Sequence, residues 1–120
     1  MRIIVCGGRS YSDRARVFAE LDAVGRVEMM FHGGARGTDA LADEWAKARR
    51  VKHFAVPAKW SKYGKRAGPM RNQAMLGNNP DLVVAFPGGS GTADMVRRAK
   101  AAGVKVVEVS AALAVKEAGD

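Results

Sequence analysis

Apolar residues in this chain come in short unbroken runs, separated by stretches in which they recur every three or four positions. Ile3-Ile4-Val5-Cys6, Val27 to Phe31, His53 to Val56, Leu82 to Phe86 and Val104 to Val109 read as strands. They are continuous rather than alternating, as in a parallel sheet covered on both faces. Between them, Val17, Phe18, Leu21 and Val24 keep helical spacing, as do Leu41, Trp45 and Ala48, and Met95, Ala99 and Ala102. Pro69, whose fixed φ suits a first helical turn, opens a shorter helix to about Leu76. The resulting order, β-α-β-α-β-loop-α-β-α-β, predicts an α/β fold of three layers. An open, mostly parallel, Rossmann-like sheet of five strands lies between helices. No linker interrupts it, so residues 1–120 read as one domain, with an Ala-rich terminal helix from Ser110. The connection from Pro57 to Gly68 has neither period and is long for a compact domain, which marks it as a functional loop.

Composition narrows the class. At 120 residues and 48% hydrophobic, the chain can build a core and is no disordered tail. It has no apolar run of membrane-spanning length, no signal-peptide pattern and a single Cys, so the expectation is a cytoplasmic protein without disulfides or a membrane partner. The net charge of +8 is local. Trp45 to Pro80 contains no acidic residue and holds nine of the 20 basic ones. Such a field calls for an anionic partner, either a small phosphate-bearing molecule or a nucleic-acid backbone.

Three strands run directly into paired glycines. The turns are Gly7-Gly8-Arg9, Gly33-Gly34-Ala35-Arg36-Gly37-Thr38-Asp39 and Pro87-Gly88-Gly89-Ser90-Gly91-Thr92-Ala93-Asp94. Glycine lets a ligand approach bare backbone, and a helix start offers unpaired N–H groups to an anion. Thr38 and Thr92 are read as N-caps, with Asp39 and Asp94 in the first turns. In open α/β sheets the carboxyl ends of the strands are where ligands bind, so the three turns are expected to share one phosphate-binding hollow. Arg71 would clamp the phosphate, Asn72 would orient a ribose or base, and Trp60 and Tyr63 would close over the base. For Trp60 the alternative is a cap on the core beneath the loop.

Other signatures are missing. There is no G-x-G-x-x-G, and Gly64-Lys65-Arg66 is not a P-loop. His32, His53 and Cys6 lack metal-ligand spacing, Cys6 reads as core filler, and Ser90 is not in a nucleophile elbow. Arg97 and Arg98 read as solvated, and no cofactor or metal is called for.

On Gly7 to Asp13, His32 to Asp39, Gly68 to Met75 and Phe86 to Thr92, the chain resembles the SLOG superfamily. That superfamily unites DprA-type DNA-processing proteins, Lonely Guy phosphoribohydrolases and molybdenum-cofactor carriers, and the resemblance is nearest to its YspA/cpYpsA-related group. It implies a Rossmann-like domain that binds a nucleotide or nucleotide-derived metabolite such as ADP-ribose, often as a homodimer or higher oligomer. It also implies two alternatives: single-stranded DNA binding, and cleavage of the bond between base and ribose phosphate. For cleavage, Arg71 matches the signature arginine, but the signature lysine is Asn72 and the glutamate is Met95. The acid would then have to be Asp94, Asp39 or Asp13.

Overall fold

The computed structural model describes residues 1–110; the terminal helix expected from Ser110 falls on residues outside that range. The elements are β1 (Arg2–Cys6), α1 (Arg14–Ala23), β2 (Met29–His32), α2 (Thr38–Ala48), β3 (Lys52–Ala55), α3 (Trp60–Tyr63), a 3-10 turn (Gly64–Arg66), α4 (Ala67–Leu76), β4 (Leu82–Ala85), α5 (Ser90–Ala101) and β5 (Lys105–Glu108). All five strands are parallel, in the order β3-β2-β1-β4-β5. The chain winds outward from β1 in one direction, then restarts at β4 on the other side. A crevice therefore opens between the carboxyl ends of β1 and β4.

The unbroken apolar runs serve two cores at once. Ile3 and Val5 of β1, with Leu82 and Val84 of β4, face Val17 and Leu21 of α1 and Ala42, Trp45 and Ala46 of α2. Ile4 and Cys6, with Val83 and Ala85, face Met75 and Leu76 of α4 and Met95, Val96 and Ala99 of α5. This makes the three layers expected from the pattern. The outer strands differ from that expectation. β3 and β5 are largely exposed because each lies at a sheet edge with a neighbour on one side only. Ala48 and Ala102 also end up on the surface, at the last residue and the C-cap of their helices, and Ala42 and Ala46 fill the α2 interface instead.

The stretch from Pro57 to Gly68 is mostly helical, not a loop. α3 is a single turn, too short for a 3.6-residue period to show, and Gly64 at φ +58° breaks it before the 3-10 turn. α4 accordingly begins at Ala67, two residues before Pro69. Proline fits there because the first four N–H groups of a helix have no intrahelical acceptor. No helix of the described residues is long and apolar enough to cross a membrane.

Asp22 clasps the first pair of helices. Its carboxylate accepts from Trp45 Nε1 and, in bidentate fashion, from Arg49 Nε and Nη2, all at 2.8 Å. The Arg49 and Trp45 hydrogen bonds hold its carboxyl down at about 2. A depressed carboxyl stabilises the fold above its unfolded value and loses that contribution as pH falls through the folded one. Asp22→Asn should therefore lower the melting temperature near neutrality. The gap from wild type should close as pH drops from about 4 to about 2. Melts across that range check it; a gap that stays constant would show that the carboxylate charge is not what holds the clasp.

Candidate functional site

The three glycine turns do meet at the carboxyl edge, and their own hydrogen bonds account for much of it. Gly8 N–H donates to the Pro87 carbonyl (2.9 Å), stitching the turn after β1 to the turn after β4 across the crevice. The Gly8 carbonyl accepts from Thr38 N and Thr38 Oγ1, both at 3.1 Å, which ties in the turn after β2. Gly7 packs against the Thr38 side chain and Gly88 against the Gly7–Gly8 backbone, so these glycines serve close approach of turn to turn. Thr38 and Thr92 are not N-caps. The caps are Gly37 and Gly89, which leaves Thr38 as the first residue of α2 and Thr92 as the third of α5.

The amides of the second turn are occupied from within. Asp39 Oδ2 accepts from Gly33 N and Ala35 N, each at 3.1 Å, and Gly34 N donates to His32 Nδ1 at 2.9 Å. A carboxylate of the protein thus sits where a bound anion was expected. Burial pushes the Asp39 carboxyl above its ordinary range, against the pull of the Ala35 amide, Arg71 and the Gly33 amide. In the third turn, by contrast, the amides of Gly89, Ser90, Gly91 and Thr92 donate to no group among the described residues.

Two clefts flank this arrangement. Arg9, Gly33, Gly34, Ala35, Arg36, Pro57, Ala58, Trp60 and Arg71 line one of about 400 Å³. Gly88, Gly89 and Thr92 line another of about 500 Å³, with Phe86, Arg97, Lys100 and Glu108. Gly34 and Arg71 therefore share a cleft while Gly89 belongs to its neighbour, and the single hollow expected from the three turns is divided. Of the other expected site residues, Gly7, Gly8, Gly37, Thr38, Asp39, Tyr63, Asn72, Pro87, Ser90, Gly91 and Asp94 line neither.

Charge separates the two. In the larger cleft Arg97 is paired with Asp94 and Lys100 with Glu108. In the smaller, none of Arg9, Arg36 and Arg71 has a salt-bridge partner among the described residues. Arg71 Nη1 donates to the Gly33 carbonyl and Nε to Asn72 Oδ1, both at 3.0 Å, which aims the guanidinium and leaves Nη2 unengaged. Burial works against its charge, and the nearby Asp39 carboxylate works for it. Trp60 is 47% exposed, so it is no core cap. It packs over Gly68 on α4, and the Arg9 guanidinium lies 5.6 Å from its ring centroid. The smaller cleft is thus a cationic recess with an indole wall.

The remaining candidates are structural in placement. Asn72, 3% exposed, donates from Nδ2 to the Gly91 carbonyl and to Asp94 Oδ2, joining α4 to α5. Asp94 is the fifth residue of α5, in its second turn, and also accepts from Arg97 Nη2 and Arg98 Nε. Arg97 and Arg98 are therefore engaged rather than simply solvated. Tyr63 lies under Lys62 Nζ, and Asp13 caps α1 by accepting from Arg16 N. Burial pushes the Cys6 thiol up to about 12, so it stays a protonated core group. Pro57 and Ala58 line the cleft without any sequence signal beyond their place after β3. The His32–Asp43 contact of 2.8 Å was also missed, although Asp43 stands one turn beyond Asp39 on the same helix face.

Comparison with known proteins agrees with this architecture. A family model described as the YspA, cpYpsA-related SLOG family matches residues 1–63. The "Gene 61 protein" of Mycobacterium phage D29 is 38% identical over 117 residues, covering 88% of this chain and 94% of that protein.

Proposed function

The chain belongs to the YspA, cpYpsA-related SLOG family, and from that premise we propose that it binds a nucleotide or nucleotide-derived small molecule in the cleft between Arg9, Arg36, Trp60 and Arg71. The observation that carries this reading is three arginines, none in a salt bridge among the described residues, lining one recess beside an exposed indole. Guanidinium groups pair with phosphate oxygens in a planar, often bidentate geometry. An exposed indole offers a stacking face to any base without selecting its sequence. The free amides at the start of α5 lie next door, across the Gly8–Pro87 stitch, and would receive a second anionic group of an extended ligand. The module would sense or sequester such a molecule. Asp94 is committed to Asn72, Arg97 and Arg98, which favours binding over a hydrolytic role for that carboxylate.

Thermal melts with AMP, ADP-ribose and related nucleotides test the proposal. A ligand at a hundred times its Kd adds about 2.7 kcal/mol, roughly 10 °C for a domain of this size. No shift with any of them at millimolar concentration would overturn it. Stabilisation by a single-stranded oligonucleotide alone would move the assignment to the DNA-processing side of the superfamily.

A further inference from the structure

His32 ends β2 at 4% exposure, and its two ring nitrogens have different partners. Nδ1 faces Gly34 N at 2.9 Å. A backbone N–H can only donate, so Nδ1 is the acceptor and carries no proton. The proton is then on Nε2, which donates to Asp43 Oδ1 at 2.8 Å. His32 is held as one neutral tautomer, and the residue it holds is Gly34, which has φ +72° and lines the cationic cleft.

Protonation cannot be absorbed in place. A second proton must go on Nδ1, where it would face the Gly34 N–H, donor against donor. The charged groups around the ring are Asp39, Asp43 and Lys47 on α2, His53 on β3 and Arg71 on α4. Lys47 Nζ lies 3.0 Å from Asp43 Oδ2, His53 Nε2 lies 3.5 Å from Asp43 Oδ1, and Arg71 reaches the Gly33 carbonyl. Burial opposes the Asp43 charge, but hydrogen bonds from His32 and Lys47 outweigh it and hold that carboxyl below its ordinary range. Asp43 is therefore anionic and accepts the Nε2 proton, so a second proton has only Nδ1 to take.

We infer that His32 is a positioning residue: as a neutral imidazole it anchors the Gly34 amide against the cleft, and on protonation it frees that amide while Asp39 still holds Gly33 and Ala35, so ligand affinity falls as pH falls. The consequence for affinity rests on the binding reading above; the release of Gly34 does not.

The experiment separates the two. Hydrogen exchange at the Gly34 amide, followed by NMR on the ligand-free protein from about pH 8 to about pH 5, spans the window in which imidazoles change charge. After correction for the intrinsic exchange rate, Gly34 protection should fall roughly fivefold, the equivalent of one hydrogen bond. In His32→Asn the side-chain oxygen can stand in for Nδ1 but cannot titrate, so protection should stay level. His32→Gln, which likewise offers an oxygen acceptor that cannot titrate, serves if His32→Asn does not fold. Gly34 protection that ignores pH in the wild type, or falls equally in either variant, overturns the inference. ADP-ribose, whose pyrophosphate has no ionisation in this window, should lose affinity by a similar factor in the wild type. Release of Gly34 without any binding at either pH would sink the binding reading and leave the positioning role standing.

Discussion

Arg71→Ala should weaken nucleotide binding about ten- to a hundredfold, the range spanned by losing a hydrogen bond to a charged group. The size of the effect follows from how the side chain is held. Nη1 is fixed on the Gly33 carbonyl and Nε on Asn72 Oδ1, so the free edge of the guanidinium is already aimed before a ligand arrives. Arg71→Lys should recover little, because one ammonium cannot span both anchors and a phosphate at once. Arg50→Ala is the control. It removes the same charge from an exposed position beyond the end of α2, at the opposite edge of the sheet, and should change affinity by less than about twofold at physiological salt. Equal losses in Arg71→Ala and Arg50→Ala would show that attraction is diffuse and that the cleft has no special part in it. Isothermal titration with the best nucleotide from the melting screen makes the comparison.

Gly37→Ala should destabilise the fold by roughly 3 kcal/mol, about 12 °C in melting temperature. Two costs act together. Gly37 sits at φ +75°, in the left-handed region, and a Cβ there would run into the backbone carbonyls of Gly8 and Arg9. That contact lies where the turns after β1 and β2 are bound together, so neither can move aside alone. Gly25 separates the terms. It also has positive φ (+102°), but nothing lies within 4 Å of its added Cβ, so Gly25→Ala carries the conformational cost alone, about 1 kcal/mol. Should the two variants melt within a few degrees of each other, the close approach at Gly37 is not tight.

The legible and illegible parts of this molecule divide by the range of the interaction. The strands could be read because a run such as Ile3-Ile4-Val5-Cys6 has to satisfy two cores, and no polar residue fits either face. Four residues of helix at Trp60–Tyr63 leave no period to detect. The glycine turns announced close backbone packing, but glycines look the same whether they approach a ligand or another turn. Here Gly7 meets the Thr38 side chain of the second turn, and Gly88 meets the Gly7–Gly8 backbone of the first. Asp39 could be read as an acid near a helix start, a position that favours negative charge. That its carboxylate reaches back to Gly33 and Ala35 depends on a left-handed Gly34 and Gly37, which no composition reveals. For Asp94 a signal existed: Arg97 and Arg98 stand three and four residues on, the spacing of helical ion pairs.

The internal carboxylate of Asp39 has a kinetic consequence. Since the amides of Gly33 and Ala35 are tied down when the chain folds, this wall of the recess is rigid in the empty protein. Capture then requires no backbone to freeze at that wall, and its entropy is absent from the association free energy. Encounter should proceed close to rigid-body docking, at a speed governed by the field of the three guanidinium groups and damped by added salt.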